Sequence, residues 1–298
     1  MDQTRKGILC ILASAAGFAL MGLFVRLCDD YGAPVSSFQK SFFRNIVAVA
    51  IALAIFVRAH RRGACKAGWH REDGWRVWSA LLLRSIFGTL GIFANFYALS
   101  HIPIGEAMCL NKTAPFFTVL FSLLLLKEKT TWRRTGFMLL AFAGAALVAK
   151  PGWREFGTFA AACGLFGGLC AGLAYALVRN LGVLKVEGAF IVLFFSAFST
   201  LASLPFMVGP NFTPMTWQQL LIMCGAGAGA AIGQFGVTAA YRFASPSKIA
   251  VFDYSNIVFA AALGFFFLGQ VPDLYSVIGF VLILAAAIAT RRAARLGE

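Results

Sequence analysis

Four ionisable side chains interrupt otherwise apolar stretches: Arg44, Arg84, Lys112 and Asp253 each lie well inside a long run of hydrophobic residues. An ionised group near the centre of a bilayer costs at least ~2.5 kcal/mol, so each needs a partner, a water-filled cavity or a function. Arg44 sits roughly 14 Å into its run at the helical rise of ~1.5 Å per residue, too deep to snorkel easily to the surface. Lys40, Glu106 and Lys248 lie nearer the ends of their runs, where snorkelling is the expectation. Three deep cations against one deep carboxylate complement a solute with a carboxylate or other anionic group. An internal network pairing Asp253 with Arg44 or Lys112 is the structural alternative, and the two readings are compatible.

Polar neighbours extend this constellation. Asp253 and Asn256 are three apart and Asn111 and Pro115 four apart, so each pair shares a helical face. Pro115 also frees a backbone carbonyl one turn earlier, near Asn111. Arg84, Gly88, Gly91 and Asn95 step by four, three and four, a face that combines close approach with polar groups and is expected to line a cavity. Tyr175, Tyr254 and Gln234, with Tyr97, Tyr241 and Phe42, can give aromatic walls and hydrogen bonds, although each singly also suits packing or an interfacial anchor. The expected substrate-binding set is Arg44, Arg84, Asn95, Asn111, Lys112, Tyr175, Gln234, Asp253, Tyr254 and Asn256.

The elements that hold these groups follow from composition. The chain of 298 residues is 60% apolar and 13% charged, with a mean hydropathy of +0.79. Soluble domains carry about 25% charged residues, so most of this surface must face lipid. A helix crossing a ~30 Å hydrocarbon core needs roughly 20 residues. Apolar runs punctuated by Pro, Gly and charge predict ten spans, near 7–25, 34–57, 77–99, 105–126, 135–149, 157–177, 189–208, 217–241, 247–268 and 274–290. The first is read as a retained helix, because the small residues Ala13-Ser14-Ala15 do not end its apolar run.

Charge supports that count. Arg5 and Lys6, the cluster from Arg58 to Arg76, Lys127 to Arg134, Arg179, Lys185, Arg242, Lys248 and the Arg291–Arg295 tail all fall on one side, against little beyond Arg26, Lys150 and Arg154 on the other. The positive-inside rule makes that side, with both termini, cytoplasmic. It also accounts for the formal charge of +14 without a nucleic-acid partner.

The chain repeats itself. Gly91, Ala98 and Leu126 align with Gly233, Ala240 and Leu268, and Glu128 with Gln270, all 142 residues on. At the same offset Asn111 and Lys112 meet Asp253 and Tyr254. Two halves of five spans, 1–150 and 151–298, must enter the membrane in opposite orientations, as in secondary transporters with a midplane site between inverted repeats. The fold class expected is therefore an all-α integral membrane protein of ten transmembrane helices in two inverted five-helix repeats. Gly225, Gly229, Gly233 and Gly236 form a stripe suited to close helix contact; Gly164, Gly168 and Gly172 are read as tight packing.

The runs Leu83-Arg84 with Gly88 and Gly91, Phe96-Tyr97-Ala98-Leu99, Ile102-Pro103, Ala114-Pro115-Phe116 and Leu126-Lys127-Glu128 resemble the first repeat of the EamA family in the drug/metabolite transporter superfamily. Phe252-Asp253-Tyr254-Ser255, Leu268-Gly269-Gln270 and Ile278-Gly279-Phe280 resemble its second. The resemblance implies ten helices, alternating access and a cavity lined by helices one to four and six to nine, with five and ten peripheral. Gln270 departs from the acidic residue common there. The Asp-Tyr-Ser run looks most like the branch holding S-adenosylmethionine uptake and organic-anion carriers.

The expected function is a secondary carrier of a small polar, carboxylate-bearing metabolite in a bacterial inner membrane. Its expected partners are that solute and the lipid bilayer, with no cofactor and no metal. An intramembrane enzyme is the rival class, but His60, His70 and His101 lie in loops or at a helix end and Asp253 has no partner Asp for aspartyl chemistry. A channel is the third. The seven cysteines show no CxxC spacing and read as apolar packing residues. Ala285, Ala286, Ala287 and Ala289 can pack against a second protomer, as in a homodimer, or against helix five.

Overall fold

Long apolar runs without water to satisfy their amides close their hydrogen bonds within the helix, and helix is the only regular structure of the computed structural model among its described residues, 2–61, 74–101, 108, 110–149, 158–207, 212–269 and 271–295. The helices are α1 (Gln3–Leu27), α2 (Ser37–Arg61), α3 (Gly74–His101), α4 (Ala114–Leu126), α5 (Trp132–Ala149), α6 (Thr158–Val183), α7 (Gly188–Ser203), α8 (Trp217–Phe243), α9 (Ser255–Leu268) and α10 (Leu274–Arg295). Among the described residues, eight segments are long and apolar enough to cross a membrane: α1, α2, α3, α6, α7, α8, α10 and Pro246–Leu268, which contains α9. Helix α4, at 13 residues, is shorter. Phe266 and Phe267 stand 77% and 65% exposed, as suits a lipid-facing wall.

Two segments expected as continuous helices are broken. Within 105–126, the chain turns at Lys112 and Thr113 before α4 begins, because Pro115 at the first turn of α4 has no N–H to carry a helix through from Asn111. Within 247–268, one helical turn at Pro246–Ile249 passes into a 3₁₀ segment, Ala250–Tyr254, before α9. Both α4 and α9 then end on a left-handed residue, Lys127 at φ 53° and Gly269 at φ 63°.

Packing pairs α1 with α8, α3 with α6, α5 with α10 and α2 with α7. Glycine makes the first two possible. A Cβ on Gly17 would lie 2.7 Å from the Gly233 nitrogen and 2.9 Å from the Gly229 carbonyl oxygen, and one on Gly91 would lie 3.2 Å from the Gly167 oxygen. Ser14 Oγ donates to the Gly233 carbonyl at 2.7 Å across the first contact. Backbone atoms cannot swing aside, so Gly17→Leu is expected to destabilise by about 3 kcal/mol or more and to deplete the monodisperse peak in detergent. Gly136→Leu, at a position with open space around it, is expected to leave that peak intact.

Ala286 and Ala287 of α10 are buried in the same cluster as Ala141 and Ala145 of α5, so α5 accounts for their small size. A capping box starts α8: Thr216 Oγ1 accepts from the Gln219 amide while Gln219 Oε1 accepts from the Thr216 amide. The same Gln219 side chain donates to the Cys28 and Ala33 carbonyls, each at 3.0 Å, tying the start of α8 to the α1–α2 link.

Candidate functional site

Helices α1–α3 and α6–α9, with the break before α4, surround a cavity of about 420 Å³. Nine of the ten expected residues line it: Arg44 from α2, Arg84 and Asn95 from α3, Asn111 and Lys112 from the break, Tyr175 from α6, Gln234 from α8, Asp253 from the 3₁₀ segment and Asn256 from α9. Helices α5 and α10 give no lining residue. The whole Arg84, Gly88, Gly91 and Asn95 face turns inward.

The tenth residue, Tyr254, is placed elsewhere. It is fully buried, stands outside the lining, and its hydroxyl donates to the Lys112 carbonyl at 2.9 Å. The turn at Lys112 takes that carbonyl out of any regular helix bond, and Tyr254 satisfies it. Tyr254 therefore holds the two broken segments together behind the cavity. Tyr254→Phe is expected to lower stability by about 1 kcal/mol, seen as a melting shift of a few degrees.

The guanidinium of Arg84 is 1% exposed in residue terms. It lies 3.5 Å over the Phe195 ring, a desolvated cation–π contact worth about 2 kcal/mol, and its Nη2 donates to Gln234 Oε1 at 2.9 Å. Gly88 makes room for it, since a Cβ there would lie 2.7 Å from Arg84 Nη1. Arg44 is 7% exposed, and its Nη1 points at the Met21 sulfur, 2.8 Å away. The Nε of each arginine lacks a hydrogen-bond partner among the described residues. Lys112 Nζ stands 3.8 Å from Asp253 Oδ2, a pairing the sequence left open. Asn256 donates to the Ala15 carbonyl at 2.9 Å, securing α9 to α1.

Other placements differ from expectation. Lys40 does not snorkel: it is buried, lines the cavity and pairs with Asp29 at 2.6 Å. Lys248 is exposed, and Glu106 and Gln270 lie outside the described residues. Tyr97 stacks on His101, with centroids 4.0 Å apart, and Tyr241 belongs to the apolar core. Neither lines the cavity. Phe195 was missed because nothing in the sequence separates one functional ring from 31 phenylalanines.

Beyond the cavity, towards the N-terminus of α1, the bundle closes over a large apolar cluster that includes Ile11, Val77, Leu81, Tyr241 and Ile249. A polar latch sits at that end. Arg179 of α6, expected in a loop, lies within the helix and donates from Nε to Glu128 Oε1 at 2.7 Å. Its Nη1 donates to the Tyr241 carbonyl at 3.1 Å, and Ser122 Oγ donates to Glu128 Oε2 at 2.6 Å.

An apolar helical bundle around a polar, cation-rich cavity defines a membrane transporter, and the chain belongs to the EamA-like transporter family, whose model matches residues 5–150 and 158–292. It is 29% identical over 98% of both chains to a pseudopaline exporter of Pseudomonas aeruginosa. It is 24% identical to an S-adenosylmethionine uptake transporter of Rickettsia prowazekii, covering 86% of this chain and 83% of that one. A solved crystal structure shares the fold, with a TM-score of 0.74, 21% identity and coverage of 96% of this chain and 99% of that one. Family and relatives are transporters rather than enzymes.

Proposed function

We propose that the protein is an alternating-access secondary carrier that moves a small, polar, carboxylate-bearing metabolite across the bacterial inner membrane, binding it in the central cavity. The observation that carries this reading is the pair of buried arginines lining that cavity, with no carboxylate partner among the described residues, each a group suited to an acid. Asn95, Asn111, Tyr175, Gln234 and Asn256 supply hydrogen bonds to the rest of the solute, with Lys112 and Asp253 beside them. Tyr254 positions Lys112.

On this reading α4 and α5 complete ten crossings, in inverted repeats 1–150 and 151–298. The packing supports it: α1 on α8 mirrors α6 on α3, while α5 on α10 and α2 on α7 pair like with like. The left-handed ends at Lys127 and Gly269 are 142 residues apart, as are Tyr254 and Lys112. Such a contact joins equivalent positions across the axis of a two-fold repeat.

The charge bias puts both termini in the cytoplasm. The Glu128–Arg179 latch is then the cytoplasmic gate, and the cavity serves the opposite face. Glu128 holds Arg179 in place, and the Arg179 bond to the Tyr241 carbonyl ties α6, packed on α3 and α4, to α8, packed on α1, the seam that must open for the solute to leave on that side.

Counterflow tests the reading. Proteoliposomes preloaded with a solute that stabilises the purified protein are expected to accumulate labelled solute transiently, to a level that saturates with concentration. Flux without saturation, together with unitary currents, would mean a channel.

A further inference from the structure

We infer that the cargo carries two acidic groups and a net double negative charge, one acid for Arg44 and one for Arg84. The inference rests on the carrier reading and deepens it. Among the described residues five charged side chains line the cavity, Lys40, Arg44, Arg84, Lys112 and Asp253, and their pairing decides what they leave for a solute. Lys40 is neutralised by Asp29 at 2.6 Å, and Lys112 faces Asp253 at 3.8 Å. Arg44 and Arg84 have no carboxylate partner among the described residues.

The partners these arginines do have leave their charge in place. A thioether is a weak acceptor, so Met21 orients Arg44 without neutralising it. The Gln234 amide and the Phe195 face stabilise Arg84 as a cation, and neither carries a counter-charge. Both arginines line the cavity, each Nε is buried with no hydrogen-bond partner among the described residues, and a guanidinium is the group that pairs most strongly with a carboxylate.

The two guanidiniums rest on different supports, Arg44 on Met21 of α1 and Arg84 on Phe195 of α7 and Gln234 of α8. A single carboxylate would leave one buried guanidinium uncompensated, an expensive state away from bulk water. Two acids compensate both, while the Lys112–Asp253 and Lys40–Asp29 pairs stay neutral as pairs.

Matched probes test this. The detergent-purified protein is screened by thermal shift against the linear dicarboxylates from succinate to suberate, each beside its half-amide, which keeps the shape and removes one charge. At least one diacid is expected to bind on the order of tenfold more tightly than its half-amide, as the loss of one charged hydrogen-bond partner implies. Arg44→Gln and Arg84→Gln are each expected to erase that preference, and the corresponding lysine variants to keep part of it.

Equal binding of diacid and half-amide, preference for a monoacid, or a panel with no binder would overturn the inference. The carrier reading fails separately. A preferred diacid that shows no counterflow sinks transport and leaves the two-acid site standing, whereas counterflow of a monoacid does the reverse.

Discussion

Arg84→Gln is expected to reduce uptake by about two orders of magnitude or more, because truncating one partner of a buried charged pair removes roughly 2–5 kcal/mol of binding. The same substitution is expected to leave the ligand-free protein at least as stable as wild type. That second sign separates a binding role from a structural one. A buried arginine that holds helices together loses stability when neutralised, whereas one that is uncompensated until its ligand arrives relieves a desolvation penalty. The lost contact with Phe195, worth about 2 kcal/mol, offsets part of that relief, so the melting temperature is expected to hold or rise slightly. Arg84→Lys keeps the charge but loses the planar fork and is expected to fall between wild type and the glutamine variant. Melting curves with and without ligand, alongside initial uptake rates, check all three.

The second large effect concerns the closed end. Glu128→Ala removes the acceptor from Arg179 at a site where the two side chains are 16% and 19% exposed. Breaking a fully buried pair costs 3–5 kcal/mol; partial exposure brings the expected loss to about 2 kcal/mol, a shift of roughly thirtyfold in the balance between closed and open forms. The Tyr241 and Arg242 carbonyls still accept from Arg179 Nη1, so the protein is expected to fold. The effect is therefore a redistribution of conformations, seen as faster reaction of an engineered cysteine in the α4–α8 seam with a reagent applied from the cytoplasmic face. The charge-exchanged pair, Glu128→Arg with Arg179→Glu, is expected to restore slow labelling. An unchanged labelling rate in Glu128→Ala would mean that the apolar cluster alone closes that end.

Much of this was legible before any coordinates. Hydropathy alone located the apolar helices, and the depth of Arg44, Arg84, Lys112 and Asp253 within their runs singled out groups that share one cavity. The glycine spacing on α3 and α8 pointed to close helix contacts for a simple reason: a four-residue step keeps Cβ-free positions on one face.

Pairing was not legible. Nothing local shows that Lys40 meets Asp29, eleven positions away, or that Arg179 meets Glu128, 51 positions away, because ion pairs depend on how helices meet. Lys40 lies near the end of its run, where snorkelling is the ordinary outcome, and only the fold of the α1–α2 link turns it inward. Tyr254 stands outside the lining for a related reason. Its neighbour Asp253 faces the cavity, and adjacent residues on a tight 3₁₀ segment point in different directions. The helix breaks were half visible: Pro115 announced one, while the 3₁₀ stretch before α9 has only Pro246 at its outer end as a signal.

Alternating access to the cavity is the central claim, and labelling of one cavity-wall position from both sides tests it most directly. With the seven native cysteines replaced, a cysteine at Ala171, which lines the cavity, is placed in wild-type and Glu128→Ala backgrounds. A membrane-impermeant thiol reagent is expected to reach it from the periplasmic face in the first and increasingly from the cytoplasmic face in the second. Bound ligand is expected to slow both reactions. Simultaneous access from both faces in every molecule, or labelling from one face alone that neither ligand nor the gate substitution alters, would contradict the account.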